Sequence, residues 1–161
     1  MKIVSYSPKY QKAFLQLNQA WISEMFTLEE EDIREMENIG PAIKQGGQIF
    51  FAVDEQDRVL ACCMIAPRAD GDWEIMKFAA RGMYTGTGAG SACLKACVDY
   101  AREKRLPKVL IVSNRKCEHA VRLYRKFGFQ EIPVDKERFP FERADIAFEQ
   151  KFSYGPEGTP C

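Results

Sequence analysis

Apolar residues recur at helical spacing in several stretches of the chain. Intervals of three or four residues predict helices that bury one face and expose the other. Ser7 followed by Pro8 predicts where the first such helix begins, and Gly128 predicts where the last one ends. The stripes consist of Tyr10, Phe14, Leu17 and Trp21, then Leu94, Cys97, Val98 and Ala101, and finally Ala120, Leu123, Tyr124 and Phe127.

Short apolar runs outside these stripes predict β-strands. QIFFAV, RVLACCMIA and WEIMKFAA are separated by the turn-rich segments DEQD and PRADGD, a pattern typical of consecutive antiparallel hairpins. KIVSY, KVLIVSN, FQEIPV and ADIAFEQKF predict further strands. Residues 27–47 are acidic and then broken by glycine and proline, which predicts a short helix and a mobile connection.

These elements predict a single α/β (α+β) domain with a mixed, mostly antiparallel sheet flanked by helices. A chain of 161 residues suits one domain, and no internal repeat, linker or low-complexity block divides it. We place the domain at residues 1–152 and expect residues 153–161 to form a loose tail.

Composition and charge exclude several classes of protein. The apolar fraction is 46%, and no stretch approaches the roughly 18 apolar residues that a membrane span needs. The first residues, MKIVSYSPKY, show no secretory signal, so the cytoplasm is the expected location. Lys and Arg number 23 and so do Asp and Glu, which makes nucleic acid an unexpected partner.

The six cysteines do not indicate a metal site. No CxxC pair is present, and Cys93 and Cys97 lie one helical turn apart, as small core-facing residues do. The same two thiols could form half of a metal site, but His119 is the only histidine and no second pair completes the ligand set. We therefore expect no bound metal.

A glycine-rich segment, TGTGAGSA at residues 85–92, precedes the second helical stripe. Glycine lets a phosphate approach the unpaired N–H groups of a helix start. A P-loop is excluded because Ser91 and Ala92 follow Gly90, and a dinucleotide fingerprint needs its last glycine one position later. A plain turn between a strand and a helix is the remaining alternative.

The order of elements resembles that of the GCN5-related N-acetyltransferases. Gly88 and Gly90 match the glycine-loop pattern of this family, whereas Thr85 stands where the family has Gln or Arg. Residues 114–132, NRKCEHAVRLYRKFGFQEI, look like the family's distal motif. The segment FERADIAFEQ is similar to a bacterial branch of unassigned substrate, and the resemblance extends from the first strand to about Phe152.

This resemblance implies acetyl-CoA as the donor, a primary amine as the acceptor and no metal. It also implies a splayed fourth and fifth strand pair, whose free backbone binds the pantetheine arm. The helix start after the glycine loop would bind the pyrophosphate. The residues so assigned to the coenzyme are Phe78, Ala79, Ala80, Thr85, Gly86, Thr87, Gly88, Ala89, Gly90, Ser91 and Asn114.

Two residues are candidates for proton transfer. Glu74 lies six residues before Ala80, the offset of the base glutamate in the histone-acetylating branch of the family. On a regular strand it would share a face with Met76, Phe78 and Ala80, and these apolar neighbours would raise its pKa. An exposed glutamate, one paired with Lys77 or an arginine, or a base acting through a water chain are the alternatives.

Tyr124 matches the tyrosine that acts as general acid in much of the family, ahead of the pair Gly128 and Phe129. Its position on an apolar stripe would equally suit a core aromatic residue. Cys117 stands where many relatives have an asparagine that contacts the coenzyme.

The acceptor side is less well defined by the sequence. Residues 21–37 and 139–143 usually shape it in such folds. The acidic run at residues 29–32 would attract a cationic amine or form a solvated helix face. We expect a small-molecule or peptide amine as partner and leave a homodimer open.

Two functions follow from the resemblance. The first is acetyl transfer by direct attack of the amine on the thioester, because Cys62, Cys63 and Cys93 have no base in view for a covalent route. The second is a non-catalytic acyl-CoA sensor, which Thr85 and Cys117 would suit. Glu74 and Tyr124 favour the enzyme.

Overall fold

The computed structural model describes residues 1–82 and 87–155 of the chain. In chain order the elements are β1 (Lys2–Ser5), a 3-10 turn (Pro8–Tyr10), α1 (Gln11–Met25), α2 (Glu30–Glu37), α3 (Ile39–Lys44), β2 (Gln48–Val53), β3 (Val59–Pro67), β4 (Trp73–Ala80), α4 (Ala89–Glu103), β5 (Lys108–Ser113), α5 (Glu118–Lys126), β6 (Gln130–Ile132) and β7 (Ile146–Lys151). No helix among the described residues has the length and apolar character needed to cross a bilayer.

All the strands belong to one sheet in the order β1-β2-β3-β4-β5-β7-β6. Every neighbouring pair is antiparallel except β4 and β5, which run parallel and meet at a single register position, Glu74 opposite Leu110. The predicted mixed, mostly antiparallel sheet with a splayed β4–β5 pair is confirmed. Beyond this position β4 and β5 are no longer paired, which leaves an opening in the middle of the sheet.

Helices cover both faces of the sheet. On one face α4 and α5 pack over a core that includes Leu94, Ile111 and Phe148. On the other face α1 and α3 pack over a second core that includes Phe14 and Phe51. We call these the α4 face and the α1 face. Cys93 and Cys97 are fully buried on the α4 face, as predicted for small core residues.

A β-bulge interrupts β4 at Lys77. Met64 of β3 lies opposite Met76 and Cys62 lies opposite Ala79, so Lys77 and Phe78 together oppose one residue of β3. Lys77 adopts a φ of +53°, a left-handed conformation that costs a lysine about 1 kcal/mol. The extra residue reverses the alternation of side chains along the rest of the strand.

This bulge corrects one expectation about Glu74. Met76 packs on the α1 face, whereas Phe78 and Ala80 pack on the α4 face. Glu74 lies opposite Ala66, which belongs to the α1-face core. Glu74 therefore shares a face with Met76 alone among the neighbours expected for it.

The connection after α2 is also different from the expectation. Instead of a mobile segment, residues 39–44 form α3, with Pro41 in its first turn, where the missing N–H loses no helical hydrogen bond. The turn after α3 needs a glycine at position 47, because a Cβ there would lie 2.8 Å from the Ala42 carbonyl oxygen.

The chain beyond β7 begins with an anchored residue. The Tyr154 hydroxyl donates a hydrogen bond to the Leu106 carbonyl oxygen at 2.8 Å, and the Arg105 guanidinium lies 4.9 Å from the Tyr154 ring centroid. Residues 156–161 lie outside the described part, and the domain boundary at 152 stays a prediction.

Candidate active site

A cavity of about 430 Å³ fills the opening between β4 and β5. Its walls come from both faces of the sheet, because side chains of α1, α2 and the 133–145 loop line one end and those of α4 and α5 line the other. Glu74 and Asn114, at the edges of the opening, line the same cavity. A cavity lined by carboxylates, aromatic rings and a helix start is the default location for a binding site.

The first turn of α4 forms the wall at the α4 end. Gly88 precedes the helix with a φ of +79°, which favours glycine, and a Cβ on Gly90 would lie 3.2 Å from the Phe78 ring. The N–H groups of a first turn have no acceptor within their own helix, so they can bind an anion. Of the other predicted loop residues, Ala89 and Ser91 line the cavity.

The remaining loop residues do not all lie within the described part. Thr85 and Gly86 fall outside it. The Thr87 hydroxyl oxygen lies 3.4 Å from the Ala89 backbone nitrogen, where it accepts the hydrogen bond of an N-terminal helical N–H.

Glu74 is a buried carboxylate, 4% exposed, at the edge of the opening. Arg68 Nη1 donates a hydrogen bond to Glu74 Oε1 at 2.8 Å. Burial, with a smaller contribution from the negative charge of Glu35, raises the pKa of Glu74 to about 8 despite the opposing charge of Arg68. Glu74 is thus paired with an arginine, one of the alternatives above, and it also has the raised pKa expected for a general base.

Arg68 connects Glu74 to the 133–145 loop. Its Nη2 donates a hydrogen bond to the Arg138 carbonyl oxygen at 2.8 Å, and its guanidinium lies 4.3 Å from the centroid of the Phe139 ring. The side chain is 17% exposed. Because the guanidinium is fixed from several sides, the orientation of the Glu74 carboxylate is fixed with it.

Tyr124 lies in the core and at the cavity wall at once. Its ring packs against Phe129 and Phe148, with centroids 6.3 and 5.6 Å away, and lies 6.1 Å from the ring of Phe78. Burial raises the pKa of its phenol, and contact with the Ser113 side chain offsets only part of that rise. The hydroxyl therefore remains protonated throughout the neutral pH range.

A buried charge network closes the α1 end of the cavity. Asp32 of α2 is fully buried and accepts hydrogen bonds from Arg143 Nη1 at 2.8 Å and Lys77 Nζ at 3.3 Å. Lys77 Nζ also donates to Glu35 Oε1 at 2.8 Å, and Arg143 Nη1 donates to Glu29 Oε2 at 3.0 Å. The bulged strand, the acidic helix and the 133–145 loop are thus tied together by ion pairs.

Asp32 remains ionised in this environment. Burial alone would raise its pKa, but the hydrogen bonds from Arg143 and from the Glu29 backbone, together with the Lys77 charge, hold the pKa below its ordinary value. Burial raises the pKa of Glu35, and the Lys77 ammonium opposes that rise. Residues 29–32 are therefore not simply a solvated helix face.

Comparison with known sequences decides the family. The sequence model described as the acetyltransferase (GNAT) family matches residues 11–129. The chain belongs to the GNAT acetyltransferase family. No curated protein matches the sequence.

Solved structures show the same GNAT fold. A GNAT-family acetyltransferase from Staphylococcus aureus Mu50 superposes with a TM-score of 0.81 at 16% identity, covering 93% of this chain and 98% of that one. YncA from Salmonella typhimurium, whose structure contains acetyl-CoA, gives a TM-score of 0.73 at 14% identity, covering 94% of this chain and 93% of that one. PaiA N-acetyltransferase from Thermoplasma acidophilum, in complex with coenzyme A, gives a TM-score of 0.69 at 15% identity, covering 94% of this chain and 99% of that one.

In this GNAT domain Phe78, Ala79 and Ala80 line the cavity beyond the bulge, as the expected pantetheine site requires. Asn114 also lines it, but its amide is engaged within the protein. Nδ2 donates to the Arg143 carbonyl oxygen at 2.6 Å, and Oδ1 accepts from the Lys116 backbone N–H at 2.8 Å. The assignment of Asn114 to the coenzyme stays a prediction.

Sequence reasoning missed the roles of Lys77, Glu35 and Arg143 in this GNAT site. One signal for the network was available. Asp32 has the spacing of the buried residues Met36 and Ile39, so a carboxylate occupies an apolar helix stripe. A buried carboxylate needs a cationic partner, which predicts a nearby Lys or Arg without saying which one.

Proposed function

We propose that the protein transfers the acetyl group of acetyl-CoA to a primary amine that attacks the thioester directly. The single observation that carries this proposal is the cavity between β4 and β5. It joins the start of α4, suited to a pyrophosphate, to a buried carboxylate suited to accept a proton. Family membership supports the donor, and the relatives with coenzyme A and acetyl-CoA agree with it.

The coenzyme would lie along the α4 side of the opening. The N–H groups at residues 88, 90 and 91 would bind the pyrophosphate without a cationic side chain, whereas the Ala89 N–H already donates to the Thr87 hydroxyl. Beyond the bulge, the β4 edge that faces β5 has no ladder partner among the described residues, so it is available to the pantetheine arm.

Glu74 would act as the general base. An alkylamine with a pKa near about 10.4 is protonated at neutral pH and must lose a proton before its nitrogen can attack. The nitrogen forms a bond to the thioester carbonyl carbon, the carbon–sulfur bond breaks, and its electron pair stays on sulfur. Glu74 accepts the proton that frees the nitrogen for attack, a task that its raised pKa matches. The nitrogen loses its second proton once the new bond has formed, and this proton balances the one that the departing sulfur takes up.

Tyr124 would act as the general acid. The departing thiolate needs a proton, and a phenol that stays protonated at neutral pH can supply it. Tyr124 lines the cavity beside Phe78, which belongs to the proposed pantetheine site. Since Glu74 and Tyr124 both line the cavity, the enzyme is favoured over the acyl-CoA sensor.

Binding of the coenzyme is the first test. We expect saturating acetyl-CoA or CoA to raise the thermal midpoint of the protein by several degrees, whereas ATP and NAD do not. A ligand at 100 times its Kd adds about 2.7 kcal/mol to the free energy of unfolding. Differential scanning fluorimetry measures the shift, and an unchanged midpoint with both CoA species would refute the coenzyme assignment.

Tyr124→Phe tests the acid. We expect kcat to fall by about 10²-fold while the Kd for acetyl-CoA stays unchanged, because only the hydroxyl that protonates the thiolate is lost. The matched control is Tyr6→Phe, which removes an exposed hydroxyl that bonds Gln11. An equal loss of turnover and of coenzyme affinity in Tyr124→Phe would contradict the acid role.

A further inference from the structure

The acceptor end of the cavity combines apolar walls with two carboxyl groups and two cations. We define it as the part lined by Trp21, Met25, Phe26, Glu35, Lys77, Phe141 and Arg143, together with Glu74 at the opening. Glu35 Oε1 binds Lys77, whereas Glu35 Oε2 has no hydrogen-bond partner among the described residues. One carboxylate oxygen of Glu35 is therefore available to a bound molecule.

Within the described part of the chain, every buried cation at this end is paired with one of the protein's own carboxylates. Lys77 pairs with Asp32 and Glu35, and Arg143 pairs with Asp32 and Glu29. The Arg143 guanidinium is also enclosed by aromatic rings, with the Phe141 centroid 4.7 Å away. A bound anion would have to displace one of these pairs.

Arg68 completes this set of committed cations. It pairs with Glu74 at 2.8 Å and with Asp70 at 3.2 Å. The undescribed residues 83–86 and 156–161 contain no Lys or Arg that could add a cation. Each of these three cations therefore already has a carboxylate partner within the protein.

Other basic side chains near the cavity lie elsewhere. His119 and Lys126 line it from α5, which covers the α4 face. Lys116 is exposed, and its Nζ lies 5.9 Å from the Phe26 ring centroid, so it reaches the outer rim. A carboxylate far from the reacting amine could meet Lys116, but one adjacent to the reacting nitrogen could not.

This charge balance discriminates between classes of amine. In an α-amino acid the carboxylate is two bonds from the reacting nitrogen, so it would enter the apolar end without a counter-ion, which is strongly unfavourable. An ammonium group with an apolar body meets the reverse situation, because the second carboxylate oxygen of Glu35 can bind the cation and the aromatic walls cover the hydrocarbon.

We infer that the acceptor is a cationic primary amine with an apolar body and without a carboxylate on the carbon that bears the nitrogen, and that Glu35 selects it. This inference rests on the proposed function. Arylalkylamines and alkylamines belong to the class, and free α-amino acids do not.

Matched acceptors test the class. Phenethylamine and phenylalanine, isoamylamine and leucine, and agmatine and arginine differ within each pair only by the α-carboxylate. We expect kcat/KM, measured as thiol release from acetyl-CoA, to be at least ten-fold higher for the amine in one or more pairs. Equal values or a preference for the amino acids would overturn the inference and leave the acetyltransferase proposal standing.

Glu35→Gln tests the selecting residue. The variant removes one negative charge from the amine site and leaves Lys77 with Asp32 alone. The ammonium of the bound amine then loses a counter-ion, whereas the carboxylate of the amino acid gains one in Lys77. We expect the ratio of kcat/KM for the amine to kcat/KM for the amino acid to fall at least three-fold. Glu37→Gln, at an exposed position of the same helix, should keep the ratio. Parallel losses for both acceptors in Glu35→Gln would contradict selection by Glu35.

Coenzyme binding separates the two levels of failure. If acetyl-CoA raises the thermal midpoint and neither member of any pair is acetylated, the acceptor class is wrong. If neither CoA species raises the midpoint, the proposed function itself fails.

Discussion

Replacing Glu74 with glutamine is expected to lower kcat/KM for the amine by about 10²- to 10⁴-fold, the usual contribution of a general base. In the wild-type enzyme kcat/KM should rise with pH through an apparent pKa near 8, because Glu74 accepts a proton only when it is ionised. The Glu74→Gln variant should lose this limb of the profile. Initial rates with acetyl-CoA between pH 6 and 10 measure both effects.

Two controls make this result specific to Glu74. Deprotonation of the acceptor amine also raises kcat/KM with pH, but the midpoint of that rise changes with the pKa of the acceptor. The midpoint that belongs to Glu74 stays the same for every acceptor. Glu55→Gln, in the exposed turn between β2 and β3, should leave the profile unchanged. A Glu74→Gln variant that keeps the limb near 8 would assign the base to another group, such as a water chain.

The same pKa is readable from stability. Between the ordinary pKa of 4.5 and about 8 the folded protein retains a proton on Glu74 that the unfolded chain has lost. The contribution of this group to the free energy of unfolding therefore falls as pH rises through that window. Glutamine resembles the protonated acid, so Glu74→Gln should gain stability relative to wild type between pH 5 and 9 in urea titrations. A constant difference would mean that the pKa of Glu74 is not raised.

Replacing Asp32 with asparagine is expected to lower the free energy of unfolding by about 3 kcal/mol at pH 7. The substitution keeps the shape of the side chain but leaves the buried Lys77 and Arg143 with one carboxylate each, Glu35 and Glu29. Removing one member of a buried ion pair costs about 3–5 kcal/mol, and the remaining partners place this case at the lower end. Urea unfolding followed by circular dichroism measures the loss.

A surface pair provides the comparison for Asp32. Asp99 lies 2.7 Å from Lys95 on the exposed side of α4, and Asp99→Asn should cost less than about 1 kcal/mol. The pKa of Asp32 lies below its ordinary value of 3.8, so its contribution is present above that pH and is lost as pH falls. The difference between wild type and Asp32→Asn should therefore narrow in acid. A loss as small as that of Asp99→Asn would refute the structural role of the network.

Much of the fold could be predicted because it depends on local periodicity. The stripe through Leu94 and Val98 and the apolar runs of β2, β3 and β4 reflect the residues that each element buries. The sequence also indicated the glycines at the start of α4, where Gly88 has a positive φ and a Cβ on Gly90 would lie 3.2 Å from the Phe78 ring. The splayed strands followed from the family resemblance and not from any local pattern.

The bulge and the charge network could not be predicted, because they depend on contacts distant in sequence. A left-handed position usually has glycine, whereas β4 has Lys77, whose ammonium reaches carboxylates more than 40 residues earlier. Asp32 and Arg143 are 111 residues apart. Spacing within α2 could mark Asp32 as buried, but only the packed chain identifies its partners.

The opening between β4 and β5 has a consequence for how the two substrates meet. Because the cavity takes walls from both faces of the sheet, a donor on the α4 side and an acceptor on the α1 side would approach one another from opposite sides under the proposed function. Neither substrate would then have to wait for the other to leave, which predicts random-order kinetics through a ternary complex. A single compound that links a pantetheine fragment to an amine through the gap would occupy both halves at once, and its effective local concentration would make it bind more tightly than either fragment.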